Sequence, residues 1–102
     1  MVTVALPGTY GKPRPALVVQ ADKFSDLYSL TVLPLTTEVL DAPFFRIGVL
    51  PSDDNGLRAP SQIMVDKAST IPRDKVSGPI GTLGLAELLA VDRALALFLG
   101  LA

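Results

Sequence analysis

The chain contains no cysteine, no histidine and no tryptophan. Without cysteine there is no disulfide framework, and without either of the first two there is no zinc finger or Cys/His metal site. A Ser-His-Asp or Cys-His catalytic unit is excluded on the same ground, as is a histidine general base. Any catalysis must draw on carboxylates, hydroxyls, Arg, Lys, Tyr or the backbone. Aromatic residues are few: Tyr10, Phe24, Tyr28, Phe44, Phe45 and Phe98. A broad base-stacking platform is therefore not expected. An excess of positive charge is missing too. Nine Lys and Arg face ten Asp and Glu, a net charge of −1, so contact with nucleic acid would have to be made by a local patch. No apolar run reaches the roughly 18 residues of a membrane-spanning helix. The start, Met1-Val2-Thr3-Val4, lacks the basic region of a secretory signal. The cytoplasm is the expected setting.

What is present is a packing sequence. Hydrophobic residues make up 49% of 102 positions and charged residues 19%, which suits one small folded domain spanning residues 1–102. Nine prolines and eight glycines cut it into short pieces. Residues 2–6 predict a first strand, rich in Val and Thr. Residues 7–13 form a Pro- and Gly-bounded loop. Within residues 15–21, the run Ala16-Leu17-Val18-Val19 is apolar on both faces, as a central strand would be. Residues 22–26 predict a single helical turn, 28–35 a strand and 36–43 a polar loop. Residues 44–50 predict another strand, closing on Asn55-Gly56, a tight-turn signal. Further strands are expected at 62–66, 70–71 and 78–83, with one helical turn at 72–75. Residues 84–99 change character. Leu85, Leu88, Leu89, Val91, Leu95, Phe98 and Leu99 recur at helical spacing, and Ala86, Glu87, Ala90, Arg93 and Ala94 form the less apolar face. Short strands closed by one helix predict a mainly β fold, a small antiparallel barrel with a C-terminal α-helix packed on it.

A series of short motifs follows the same order. Gly11-Lys12-Pro13-Arg14-Pro15-Ala16-Leu17-Val18-Val19 delivers an Arg-Pro from a loop into a Val-rich strand. Pro34-Leu35-Thr36-Thr37 comes next, followed by Gly56-Leu57, Ser61, Val65-Asp66, Thr70-Ile71, Ile80-Gly81-Thr82-Leu83 and the terminal helix. In this order they resemble the MazF/PemK family of type II toxin–antitoxin toxins, over nearly the whole chain. The resemblance implies an SH3-like, CcdB/PemK-type barrel that forms homodimers. It implies a sequence-selective endoribonuclease that cuts single-stranded RNA without metal or cofactor. It also implies a cognate antitoxin with an acidic C-terminal tail, operator DNA bound only together with that antitoxin, and no membrane partner. The competing readings on the same barrel are a gyrase-binding toxin like CcdB and a member that has lost its nuclease and acts by binding protein or DNA.

The implied chemistry borrows its nucleophile, the 2′-hydroxyl of the RNA itself. The protein must then supply cationic and hydrogen-bonding groups around a phosphorane that gains negative charge. Arg14 matches the family's catalytic arginine. Its planar fork suits two phosphate oxygens at once, and Pro13 and Pro15 restrict the backbone on either side. Thr36 matches the catalytic threonine, its hydroxyl able to donate to a phosphate oxygen, with Thr37 as the neighbouring RNA-binding candidate. Asp66 matches an acidic position that some members use as a general base. There an arginine stands two residues earlier, where this chain has Met64. Asp66 therefore stays open between proton acceptor and structural acceptor at a strand end. Glu38 is a second carboxylate near Thr36. Tyr10, Lys12, Arg46 and Lys67 are the remaining candidates for RNA contact, by stacking or by charge, and Arg58 and Arg73 are further basic positions.

Overall fold

An apolar strand run such as Ala16-Leu17-Val18 needs cover on both faces, and the fold supplies it. The computed structural model describes residues 1–5 and 12–102. Within them the strands are β1 (Val2–Val4), β2 (Arg14–Val18), β3 (Ser29–Thr36), β4 (Arg46–Val49), β5 (Ser61–Met64), β6 (Ser69–Pro72) and β7 (Val76–Ser77), followed by helix α1 (Leu85–Phe98). Single 3-10 turns lie at Asp22–Phe24, Val65–Lys67 and Arg73–Lys75. Every pairing is antiparallel, and the strands lie in the order β4-β5-β3-β2-β1-β7, with β6 also on β3.

β3 is the hub. One edge pairs with β2 through Val32, Leu33 and Pro34. On the other edge residues 29–32 pair with β6 and residues 35–36 with β5. Changing partner along one edge bends the sheet into a barrel-like wall. Among the described residues β4 and β7 do not pair with each other, so the wall is not closed.

Alternation along β2 and β3 sends side chains to two cores. Leu17, Leu33 and Leu35 join Val49, Ile63, Val65, Val91 and Ala94 on one side. Ala16, Leu30 and Val32 join Val4 and Ile71 on the other. Leu33 has no exposed surface, and truncating such a side chain to Ala costs about 2–5 kcal/mol.

α1 occupies nearly the span its sequence predicts. The Glu87 carboxylate accepts from Gly84 N–H (3.2 Å) at its start. Gly100, at φ +76°, ends it, with Leu101 N–H donating to the Ala96 carbonyl (2.7 Å) and Gly100 N–H to that of Leu97 (3.2 Å). The inward face differs from the expectation. Val91 and Ala94 are buried, whereas Leu85, Leu88, Leu89, Leu97, Phe98 and Leu99 are exposed. The helix lies on β4 and the 65–67 turn, and small or compact side chains at 91 and 94 allow a close approach. Leu therefore points outward over much of the surface.

One other expectation is corrected. Residues 78–83 form no strand; they cross irregularly between β7 and α1. There Ile80 N–H donates to the Met1 carbonyl (2.8 Å) and Thr82 N–H to that of Asp54 (2.7 Å). A Cβ at Gly81 would lie 2.4 Å from the Asp54 carbonyl oxygen, so the close crossing requires glycine there. The tight turn that Asn55-Gly56 signals is found at residues 53–55, with Gly56 at φ +72°. Asn55 is buried inside the 50–60 connection. Its amide oxygen accepts from Ser52 and Leu57 N–H (3.1 and 3.0 Å), and its amide nitrogen donates to the Leu50 carbonyl (2.9 Å).

Candidate functional site

The β2–β3 register pairs Ala16 with Pro34 and Leu17 with Leu33. Two residues further, the same register brings Arg14, at the start of β2, level with Thr36, at the end of β3. These two residues, 22 apart in sequence, line one open cleft of about 360 Å³ together with Pro34, Leu35, Thr37, Glu38 and Met64.

Arg14 is exposed and makes no salt bridge or hydrogen bond among the described residues. Pro15, its neighbour in β2, pairs with Thr3 of β1, so the backbone beneath the arginine is anchored while its fork stays available to an anion. Thr36 Oγ1 accepts from Glu38 N–H at 3.1 Å. This bond occupies a lone pair and leaves the hydroxyl hydrogen to be donated elsewhere. Thr36 is thereby prepared as a donor.

Thr37 stands at a junction. It also lines a second cleft of about 510 Å³, formed with Thr3, Pro13, Pro15, Gly56, Leu57, Arg58, Ala59, Ser61 and Ile80. The two clefts share Thr37 and run on from each other. Arg58 is the cation of the second one, exposed and without an ion pair among the described residues.

Asp66 and Arg46 sit apart from these clefts. Arg46 opens β4 opposite Met64 of β5. From there its Nε donates to Asp66 Oδ1 (2.9 Å) and its Nη2 to Oδ2 (3.2 Å). The side chains are 8% and 22% exposed. The hydrogen bonds from Arg46 hold the Asp66 carboxyl below the usual carboxylate range, against an opposing effect of burial; the charge of Arg46 also lowers it, and that of Lys67 adds a smaller pull the same way. A carboxylate so stabilised is a weak proton acceptor, and a guanidinium so engaged is not offered to phosphate. The geometry favours the structural reading of Asp66 and gives Arg46 the same role. The arginine absent at position 64 is replaced, in effect, by one delivered across the ladder. Lys67 is exposed and lines neither cleft, and neither does exposed Lys12. Tyr10 lies outside the described residues.

Reasoning from the sequence missed the second cleft, the Arg46–Asp66 pair and a buried glutamine, Gln62, on β5. The glutamine had a signal: a polar side chain heading the apolar run Ile63-Met64-Val65 must find partners if the strand is buried. The ion pair, 20 residues apart and on different elements, had none.

Comparison with known proteins agrees with this architecture. Residues 1–99 match the family of PemK-like, MazF-like toxins of type II toxin–antitoxin systems. The chain is 44% identical, over 101 residues covering 98% of it and 93% of the relative, to a probable endoribonuclease MazF of Mycolicibacterium smegmatis. It superposes on the Mycobacterium tuberculosis toxin MazF-mt6 with a TM-score of 0.82, at 27% identity, over 99% of this chain and 97% of that one. It shares its fold with a mycobacterial endoribonuclease solved in complex with its cognate antitoxin, at a TM-score of 0.77 and 22% identity, over 99% and 92% of the two chains.

Proposed function

Because the chain belongs to the family of PemK-like, MazF-like toxins of type II toxin–antitoxin systems, we propose that it is a sequence-selective endoribonuclease acting on single-stranded RNA at the Arg14–Thr36 cleft. The observation that carries this reading is the shared cleft itself. A guanidinium with no ion pair among the described residues and a hydroxyl prepared to donate face one space. The reading takes residues 1–102 as one toxin domain.

In this reaction the 2′-hydroxyl oxygen of the nucleotide before the cut attacks phosphorus, and the bond from phosphorus to the 5′-oxygen breaks. The 2′-hydroxyl gives up its proton and the departing 5′-oxygen takes one. The products are a 2′,3′-cyclic phosphate and a 5′-hydroxyl. Arg14 neutralises the charge gathering on the phosphorane oxygens, and Thr36 donates to one of them. Glu38 is the carboxylate that lines the cleft, and it takes the role of proton acceptor for the 2′-hydroxyl. The adjoining cleft, with Thr37 and Arg58, receives the neighbouring nucleotide. No step as written calls for a metal or cofactor.

The partners follow from the surfaces. A cognate antitoxin with an acidic tail would cover the same cationic clefts, and operator DNA would be bound only with it. Helix α1 presents Leu85, Leu88 and Leu89 to solvent, a face suited to a second copy of the chain. No helix among the described residues is long and apolar enough to cross a membrane, and a cytoplasmic setting fits an RNA target.

The test is incubation with a long single-stranded RNA in EDTA, followed by end-group analysis. The expected result is cleavage leaving a cyclic phosphate or 3′-phosphate and a 5′-hydroxyl. Cleavage that disappears in EDTA and returns with magnesium would overturn the mechanism.

A further inference from the structure

Gln62 is a buried residue on β5 whose side-chain bonds, among the described residues, run to a surface turn. Its Oε1 accepts from Leu40 N–H at 3.0 Å and its Nε2 donates to the Leu40 carbonyl at 2.8 Å. One side chain thus pairs with both backbone groups of a single residue, as a neighbouring strand would, closing both ends of the amide. Gln62 is 8% exposed, so these bonds form where water competes poorly.

The placement of this clamp points toward the cleft. Gln62 is the register partner of Thr36 on β3 and of Gly48 on β4, so residues 36, 62 and 48 form one row across the sheet. Side chains of directly paired residues share a face, and Gly48 contributes none, leaving lateral room for the amide. The chain leaves Thr36, turns, and is caught at Leu40 four residues later. Between these points lies Glu38, whose N–H is bonded to Thr36 Oγ1. The two restraints act in series. Gln62 holds Leu40, the short turn so fixed holds Glu38 over Thr36, and the Glu38 N–H holds the threonine oxygen.

We propose that Gln62 is a positioning residue for the cleavage reaction, fixing the 37–40 turn through Leu40 so that the Thr36 hydroxyl donates into the Arg14 cleft. The proposal rests on the reading of that cleft as the nuclease site. It extends that reading to a residue that touches no substrate. Released from Leu40, the turn would carry Glu38 away, the Thr36 hydroxyl would rotate freely, and the Glu38 carboxylate would lose its station.

Two variants test it. Gln62→Leu keeps an apolar side chain of similar bulk and removes both bonds. It should lower kcat by about 10- to 100-fold, the scale of a small misplacement of a reacting group, with KM little changed. The Leu40 and Glu38 amides should exchange with solvent faster together, while Leu35 and Ile63 in the core stay protected. Gln62→Glu supplies a sharper signature. An ionised carboxylate accepts from Leu40 N–H but opposes the Leu40 carbonyl. A protonated one reproduces both bonds, and burial raises the pKa of such a group. The cleavage rate of this variant relative to wild type, per folded molecule, should rise as pH falls from 8 to 5. Taking that ratio removes the contributions both proteins share, those of the charged groups Glu38 and Asp41 on the turn and Arg14, Arg46 and Asp66 on the flanking elements. A flat ratio would overturn the proposal. So would a Glu38 amide in Gln62→Leu that exchanges as in wild type, or a Gln62→Glu protein that stays unfolded at pH 5. If wild type fails to cut RNA, the functional reading falls, and the exchange of the Glu38 amide still decides whether Gln62 holds the turn.

Discussion

Arg14 and Arg46 each stand at the start of a strand, and they live opposite lives. Arg14 is exposed, bonded to nothing among the described residues, and open to a cleft. Arg46 is almost covered and holds Asp66 with two hydrogen bonds. Residue type is the same; the difference lies in what the neighbouring strand presents. β3 sets a hydroxyl beside Arg14 and no carboxylate partner. The turn after β5 sets Asp66 beside Arg46. A guanidinium already satisfied inside the fold contributes stability, and one left unsatisfied is available to a phosphate.

The contrast breaks most visibly at Arg14. Arg14→Ala should slow cleavage by about 100-fold or more, the loss seen when one transition-state donor is removed, with the melting temperature nearly unmoved. Arg14→Lys should restore only part of the rate, since an ammonium cannot make the two-pronged contact. Thr36→Val sharpens the same side. It keeps the β-branched shape and deletes the hydroxyl, so the rate should fall by about 10-fold or more while stability shifts within about 0.5 kcal/mol. Glu38→Gln should reduce the rate, measured in single-turnover cleavage, without lowering the melting temperature.

On the other side, Arg46→Ala should cost about 2 kcal/mol of stability, less than a fully buried pair because Asp66 keeps some contact with water. Cleavage per folded molecule should stay near that of wild type. The smallest effect is in pH. The Asp66 carboxyl titrates below its ordinary value in the fold. Its stabilisation is therefore complete above the unfolded value of about 3.9 and is lost as pH falls through the lower folded value. The melting difference between wild type and Asp66→Asn should be present at pH 7 and shrink below about pH 4.

Local patterns carried much of this into the sequence. The β-rich runs, the helical turns near residues 22 and 73 and the span of α1 follow from composition, proline and glycine placement and period. Arg14 and Thr36 were legible as motifs, though their meeting depends on the β2–β3 register. What failed is what depends on distant partners. The period of α1 marks a stripe of Leu, yet most of these side chains face out, because packing against β4 selects the compact Val91 and Ala94. Ile80 and Leu83 suggest a strand, while the backbone there follows the crossing over residues 54–55. Asn55-Gly56 signals the turn found at residues 53–55, but not that the asparagine serves as the internal bonding centre of the connection. The Arg46–Asp66 and Gln62–Leu40 links join residues 20 and 22 positions apart, and no local period encodes them.

The measurement that bears most directly on this division is a melting curve and a single-turnover RNA cleavage rate taken on the same preparations of Arg14→Ala and Asp66→Asn. The predicted pattern is crossed: Arg14→Ala melts like wild type and scarcely cuts, whereas Asp66→Asn melts earlier and cuts normally per folded molecule. An Asp66→Asn protein that melts like wild type and has lost its activity would make Asp66 the proton acceptor and contradict the structural role assigned to its pair with Arg46.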